Sequence, residues 1–578
     1  MKYKECGLRW LIKQLIRYGK PYYKIQLITS ILVIVSWLLN IPAAYAIKDL
    51  VDKVVASIEK GYFSTELLKL AVIALTAYLV SDLTHLIGES TYVVYQHKAA
   101  KDFSLKIFRK VVKMSLLKTR KISLGDYTRT LYNDARVFGA YAASFIPAVL
   151  LHNALRILVP LYIMATLCPL LLPLPLSLAI LNYFYYKKTL PSFRDYEVKY
   201  REVEAKALNT ALETVLNHLV VKARGVSKYF LKKLDEHFEV MVDLGKKTYL
   251  MHRKRIFLND VIAPLQPFIV LALGSYLVVN KLTTLGALVT FAQYCEPLFF
   301  RTAGLYSILT DIYRRVIPSA IRVVDFLEEE EEVGGWRKLE KFDSLELRNV
   351  FFRYDDADVL KNISLVVGRG EKIAVVGRTG SGKTTLALLM SGFLKPSEGR
   401  VLINGIDARE YILPSPKIAY VPHEAPLFSD MTLRENILLG RSISEEELLE
   451  VVKVCCLEEL LDKLDARVGR GGVSLSDGQK QRVNLARAIL DKPYVLILDE
   501  ALAAVDSETE KRIFNNLFKY LPNTTFIVIS HRLSTITYMN KIIVLENGKI
   551  AGQGTHKQLI KTNQTYRKLI KEQIITEK

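Results

Sequence analysis

Two short segments of this chain carry residue types whose spacing suits phosphate chemistry. A short apolar run at 372–376 leads into Gly377, Arg378, Thr379, Gly380, Ser381, Gly382, Lys383, Thr384 and Thr385, followed by an apolar helical run over 386–394. This is the pattern GxxxxGK[ST] set between a strand and a helix. Its glycines let backbone N–H groups wrap phosphate oxygens, and the helix amino terminus adds a favourable dipole. Lys383 is placed to reach the β and γ phosphates, and the Thr384 hydroxyl to bind Mg²⁺. A second buried-strand run, 494–498, ends in Asp499 and Glu500. One carboxylate suits holding Mg²⁺ through water, and the next suits orienting or deprotonating an attacking water. The plainer reading of the pair is a helix cap; the glycine-rich loop upstream argues against it.

The elements that must position these residues fall in the last part of the chain, which reads as a soluble α/β domain. The rest is different. At 578 residues the chain is too long for one domain, and half of its residues are hydrophobic, which points to membrane spans. The run 25–47 carries no charge, and at about 1.5 Å per residue it crosses about 30 Å of hydrocarbon. Further runs cover 66–95 and 137–166. Cys168, Pro169, Pro173 and Pro175 break the third helix and start a fourth that ends near Lys187. A fifth covers 261–279, and a sixth starts near Thr284 and passes Arg301. Residues 98–136 hold eleven Lys/Arg against three acidic residues, and 187–255 is also strongly basic. By the positive-inside rule these segments, the amino terminus and the carboxyl-terminal domain are cytosolic.

A net charge of +21 raises the question of nucleic acid. The basic residues cluster beside apolar runs, as loops facing anionic lipid do, so nucleic-acid binding is set aside. Cys6, Cys168, Cys295, Cys455 and Cys456 show no metal-ligand spacing and read as reduced packing residues. Leu8, Leu11, Ile12, Leu15 and Ile16 form one apolar stripe, suited to an interfacial helix on the cytosolic leaflet or to an extension of the first span. Asp82, His85 and Glu89 share a helical face in the second span. They read either as a substrate-facing acidic stripe or as a rim paired with basic neighbours. Arg156 and Glu296 pose the same question. The acidic run 328–332, followed by Gly334 and Gly335, reads as a solvated linker.

Leu475, Ser476, Asp477, Gly478 and Gln479, ahead of the 494–498 strand, resemble the LSGGQ signature of the ATP-binding cassette (ABC) family, with aspartate for one glycine. The order of six spans and then an ATPase domain resembles ABC exporters over essentially the whole chain. The resemblance implies a multidomain membrane protein: an interfacial helix over 1–24, an all-α six-helix transmembrane domain over 25–326 with long cytosolic extensions, a linker over 327–343, and an α/β P-loop nucleotide-binding domain over 344–578. It implies ATP and Mg²⁺, with ATP bound by Tyr354 stacking on adenine and by residues 377–385. Glu500 and His531 become catalytic, Asp506 marks the D-loop, and Thr384, Asp499 and His423 surround Mg²⁺. Gly125 with Asp126, then Asn133 with Asp134, resemble the first intracellular hairpin, and 208–231 the second.

Three positions depart from the family pattern. His423 stands for the Q-loop glutamine, Arg470 for a glutamate that touches the coupling helices, and Asp477 for a signature glycine. In the family each ATP lies between one P-loop and the other domain's signature. Ser476, Asp477, Gly478 and Gln479 would therefore serve the partner's ATP. A carboxylate there repels a triphosphate, so the site it completes should close or hydrolyse poorly, while this chain's own Glu500 and His531 look competent. The reading favoured is one half of a heterodimeric exporter in the plasma (inner) membrane, moving a drug, lipid or peptide across the bilayer. A homodimer with two slow sites, a lipid flippase of the same fold and an ATP-gated channel or regulator are the alternatives.

Overall fold

The computed structural model of the chain describes residues 7–61, 65–332, 334–355, 357–469 and 472–576. It divides into two compact units. The first comprises residues 1–112 and 122–329. The second comprises 113–121 and 330–578, so the division falls within the segment read as a linker.

The first unit is helical. Its elements are α1 (Leu8–Gly19), α2 (Tyr23–Lys60), α3 (Thr65–Lys113), α5 (Leu124–Arg129), α6 (Ala135–Ser144), α7 (His152–Leu167), α8 (Pro173–Leu216), α9 (His218–Ala223), α10 (Ser227–Val279), α11 (Leu285–Asp311) and α12 (Ile317–Glu328). Tight-bonded α-helix gives way to wider π-type turns at Thr130–Asp134 and Phe145–Leu151. Among the described residues, five helical stretches are long and apolar enough to cross a membrane. The sixth expected span, α11, is a 27-residue helix that carries Glu296 and Arg301 and is less apolar. It packs against α2, α7, α8 and α10. The 53 residues of α10 extend about 80 Å, far beyond the roughly 30 Å of hydrocarbon. The spans therefore continue as helix past their apolar runs.

α1 is more than a surface helix. Leu11 and Leu15 are buried in a cluster with Phe103, Phe138 and Ala142, while Ile16 is exposed. Asp134 is buried in a tight polar cluster. Both its oxygens accept from Arg322, at 2.6 and 2.7 Å, and Ser319 Oγ donates to it at 2.7 Å. The expected first hairpin is thus corrected. Asn133 and Asp134 sit inside a continuing helical segment, and Gly125 lies in the first turn of α5, capped by Ser123. The tip is instead α4 (Leu116–Lys121), which belongs to the second unit. The second tip, α9, falls within 208–231.

The second unit holds two sheets. β1 (Ser344–Tyr354), β2 (Ala357–Gly368), β4 (Glu398–Ile403) and β5 (Ile406–Asp407) make an antiparallel sheet in the order β2-β1-β4-β5. β3 (Lys372–Gly377), β6 (Ile418–Val421), β7 (Val495–Asp499), β8 (Thr525–Ile529), β9 (Lys541–Glu546) and β10 (Lys549–Gly554) make the other, ordered β10-β9-β3-β8-β7-β6. Its five strands other than β10 run parallel. β3, β7 and β8 are almost continuously buried, as parallel strands covered on both faces must be. Around them lie α13 (Lys383–Met390), α14 (Leu433–Leu438), α15 (Glu445–Val454), α16 (Asp477–Ile489), α17 (Ser507–Tyr520), α18 (Leu533–Ile536), α19 (His556–Thr562) and α20 (Gln564–Thr576).

The acidic run is not simply solvated. Glu330 pairs with Lys118, Glu331 with Lys113 and Glu332 with Lys395. Cys168, Cys295, Cys455 and Cys456 are buried free thiols. Cys6 and Arg470 lie outside the described residues.

Candidate functional site

β3 delivers its last residue, Gly377, into a loop that turns back over the strand end. A Cβ at Gly377 would meet the Leu545 carbonyl oxygen at 2.3 Å, so only glycine fits. Gly380 and Gly382 adopt φ of +80° and +100°, conformations that disfavour other residues. The loop ends at the amino terminus of α13. Lys383 is buried, and its ammonium donates to the carbonyls of Gly377 and Arg378 at 2.9 and 3.1 Å. Burial depresses its pKa, while Glu500 and Asp499 act in the opposite direction. The Ser381 hydroxyl is buried with no protein partner. An orphaned hydroxyl inside a glycine-rich cradle fits a phosphate oxygen, which would satisfy it.

β7 ends in Asp499, which is 4% exposed. It accepts from Tyr420 Oη at 2.9 Å and from the Thr384 hydroxyl. Burial raises its pKa, opposed by those two bonds and by Lys383. A hydroxyl and a carboxylate oxygen side by side are the hard donors Mg²⁺ takes, with water and phosphate completing its shell. The residues present therefore fit the ion. His423 sits differently: its Nδ1 is 3.3 Å from the Glu500 carbonyl oxygen.

Glu500 has a φ of +50°, a left-handed conformation that is rare and strained outside glycine. The next strand sets its side chain, placing His531 Nε2 2.8 Å from Glu500 Oε1. Its own N–H donates to the Ile529 carbonyl at 3.0 Å. Together these hold a carboxylate and an imidazole at one point beside Lys383. Tyr354, at the end of β1, stacks edge-on against Phe352 at 4.9 Å and lies 3.4 Å from Thr385 Oγ1. The fold thus gathers Tyr354, the 377–385 loop, Asp499, Glu500, His423 and His531 around one end of the parallel sheet.

Ser476, Asp477, Gly478 and Gln479 open α16 elsewhere on the unit. Ser476 caps the helix, its Oγ accepting from the Gln479 N–H while Gln479 Oε1 accepts from the Ser476 N–H. Asp477 projects into solvent and pairs with Lys480 at 2.8 Å, which holds its carboxyl below the usual range. A Cβ at Gly478 would lie 2.8 Å from the Ala504 carbonyl oxygen. Asp506 caps α17 by accepting from the Thr509 N–H at 2.8 Å. An open pocket of about 550 Å³ is lined by His423, Asp477, Lys480, Gln481 and Ala504.

Sequence reasoning missed Gln481. It is buried on α16, accepts from the Ala504 N–H at 2.8 Å and donates to the His423 carbonyl at 3.4 Å. One side chain thereby ties α16 to the loops that carry His423 and Asp506. Its spacing of four from Leu485 and eight from Ile489, both buried, marks the inner face of the helix.

A P-loop ATPase fused to helices that cross a bilayer defines a class: membrane transporters driven by ATP. The matches to known proteins are specific. The ABC transporter transmembrane region matches residues 27–302, and the ABC transporter ATPase model matches 360–503. An ATP-dependent lipid A-core flippase of Desulfotalea psychrophila is 30% identical, over 97% of this chain and 98% of its own length. A putative multidrug export ATP-binding/permease protein of Bacillus subtilis is 29% identical over the same shares. A bacterial Atm1-family ABC exporter solved with ATP bound superposes with a TM-score of 0.80 at 24% identity, covering 95% of this chain and 99% of that one. The chain belongs to the ABC exporter family, as a half-transporter with one transmembrane region and one ATPase domain. It is a multi-pass membrane protein whose ATPase is coupled to export.

Proposed function

We propose that this chain is one half of a heterodimeric exporter of the plasma membrane, with its amino terminus and ATPase domain cytosolic. The observation that carries the reading is a contrast between two faces of one domain. On the P-loop face Glu500 is in place with its histidine. On the other face the helix terminus that would receive a partner's nucleotide already holds a carboxylate. A helix amino terminus attracts anions through its dipole and free N–H groups. Asp477 uses that field itself, and repels a phosphate brought up to it.

At this chain's own site, Tyr354 stacks on adenine and the 377–385 backbone wraps the phosphates, with Lys383 drawn from the Gly377 and Arg378 carbonyls to them. Thr384 and Asp499, with His423 nearby, would hold Mg²⁺, which neutralises charge on the phosphates when bound. Glu500 orients or deprotonates the attacking water, and His531 holds the Glu500 carboxylate and meets the γ-phosphate. The partner chain supplies an intact signature over this site and lacks a carboxylate equivalent to Glu500. Export of a lipid is supported by the flippase named among the relatives.

The test is ATP hydrolysis by the purified chain, alone and with the product of a neighbouring gene for a second half-transporter. Alone it turns over slowly. Asp477→Gly raises the rate of the chain alone, where it must complete its own site, and leaves the mixed dimer nearly unchanged. Brisk hydrolysis by the unmodified chain alone would overturn the heterodimer.

A further inference from the structure

Tyr420 lies on β6, an edge strand of the six-stranded sheet, three residues ahead of His423. β6 runs parallel to β7, with Tyr420 opposite Ile497 and Val421 opposite Leu498. Side chains alternate between the two faces of a sheet, so Tyr420, Ile497 and Asp499 share one face. A tyrosine is long enough to reach the residue two places beyond its cross-strand partner. Its hydroxyl donates to Asp499 Oδ2 at 2.9 Å. The ring is set by an edge-on contact with Phe393, at 5.9 Å between centroids. It also packs on a hydrophobic core against which Leu116 and Leu117 of α4 lie. His423 does not share this task, since its Nδ1 lies against the Glu500 carbonyl oxygen at 3.3 Å.

Packing alone does not ask for a phenol here. The other positions of β6 are filled by Ile418, Ala419 and Val421, all buried. A hydroxyl aimed at a buried carboxylate fixes its rotation, because the engaged oxygen cannot turn away without leaving a polar group unpaired. Groups that bond to a metal ligand orient it and set its affinity for the ion. We propose that Tyr420 is the positioning residue of the Mg²⁺ site: by holding Asp499 Oδ2 it presents the rest of the carboxylate, beside the Thr384 hydroxyl, in one fixed orientation toward the ion and its hydration shell. Acting through Asp499, it needs no contact with the ion or the nucleotide. The same hydroxyl joins the edge strand to the strand that carries Asp499. A displacement of β6, or of the loop after it that carries His423, therefore moves the carboxylate. The inference rests on the reading of Thr384 and Asp499 as the residues that would hold Mg²⁺, and not on the heterodimer.

The test measures binding, not turnover. The full chain is purified with Glu500→Gln as a background that suppresses hydrolysis. Affinity for ATP is read by displacement of trinitrophenyl-ATP, once in EDTA and once in saturating Mg²⁺. The ratio of the two affinities is the preference of Mg²⁺ for bound over free ATP. Tyr420→Phe keeps the ring and removes the hydroxyl; it should leave the affinity in EDTA within about twofold and cut the Mg²⁺ gain by ~10-fold, the scale of losing a partner of a metal ligand. Tyr420→para-aminophenylalanine, which keeps a donor at the same reach, should restore the gain. Asp499→Asn in the same background separates the two levels of the argument. A gain abolished by Asp499→Asn but untouched by Tyr420→Phe overturns the role of Tyr420 and leaves the metal assignment standing. No gain in the parent chain, or a gain that survives Asp499→Asn, removes the metal reading itself. Affinity lowered equally in EDTA and Mg²⁺, or a gain that the amino analogue fails to restore, reduces Tyr420 to packing and overturns the proposal.

Discussion

Glu500→Gln separates the two jobs its position performs. The side chain accepts or shares a hydrogen bond with His531 at 2.8 Å, and a carboxamide of the same shape retains that contact through the appropriate imidazole tautomer. Nucleotide binding should be unchanged within a factor of about two. A carboxamide takes no proton, so the term lost is that of a positioned base, about 10²–10⁴ in rate, or about 3–5 kcal/mol at about 1.4 kcal/mol per tenfold. The backbone supplies a second arm. Glu500 holds a φ of +50°, which costs a residue with a Cβ about 1–2 kcal/mol; glutamine pays the same penalty and glycine does not. Glu500→Gly should therefore raise the unfolding midpoint of the ATPase domain by a few degrees, at about 2–4 °C per kcal/mol for a domain of this size, while losing turnover as fully as Glu500→Gln. Phosphate release, retained labelled ATP and thermal unfolding measure the three quantities. Turnover by Glu500→Gln within about twofold of the unmodified chain refutes the base assignment. An unfolding midpoint lowered by Glu500→Gly refutes the strain argument.

Asp134→Ala leaves Arg322 without the carboxylate that pairs it in the first unit, and should cost about 3–5 kcal/mol, read as earlier thermal aggregation of the detergent-solubilised chain. Gln481→Leu removes the bonds to Ala504 and His423 at similar volume. It should destabilise the ATPase domain by about 1 kcal/mol per lost bond and lower kcat more than the apparent affinity for ATP, measured by steady-state hydrolysis. Burial raises the Asp499 pKa, so Mg²⁺-dependent turnover should fade on acidification at a pH above the ordinary carboxylate range. Without Mg²⁺ the folded state binds a proton there that the unfolded chain does not, so stability should increase as pH falls through the same window; Asp499→Asn abolishes both trends.

The membrane runs and the nucleotide site were legible because each is local. A span needs only consecutive apolar residues, and the phosphate loop needs glycines, a lysine and a hydroxyl at fixed offsets between a strand and a helix. What escaped was decided by partners far away in the chain. Asn133 and Asp134 have turn-like composition, yet Asp134 is buried by Arg322, 188 residues on, and the segment stays helical. Gly125 has a turn-former's identity, yet Ser123 caps a helix that takes Gly125 into its first turn. The acidic run looks like a solvated linker until Lys113, Lys118 and Lys395 are brought beside it. Gln481 falls at helical spacing on the buried face of α16, but the loops it joins lie 58 and 23 residues away, so the spacing marks its burial and not its partners.

Asp477 illustrates how local stability and ligand reception compete for the same atoms. The first turn of a helix has N–H groups without helical partners, and a nucleotide-binding terminus must leave some of them, and its dipole, for the ligand. In α16 those resources are engaged from within: Ser476 and Gln479 cap each other, and Asp477 adds a carboxylate balanced by Lys480. This is how a helix start is made stable, and it is a poor way to make one that welcomes a triphosphate. The P-loop face has the opposite character, with Lys383 buried, the Ser381 hydroxyl unpartnered and Glu500 in a left-handed conformation. Such features lower stability and persist where binding or chemistry requires them. Strain kept on one face and relieved on the other is the contrast on which the proposed heterodimer rests.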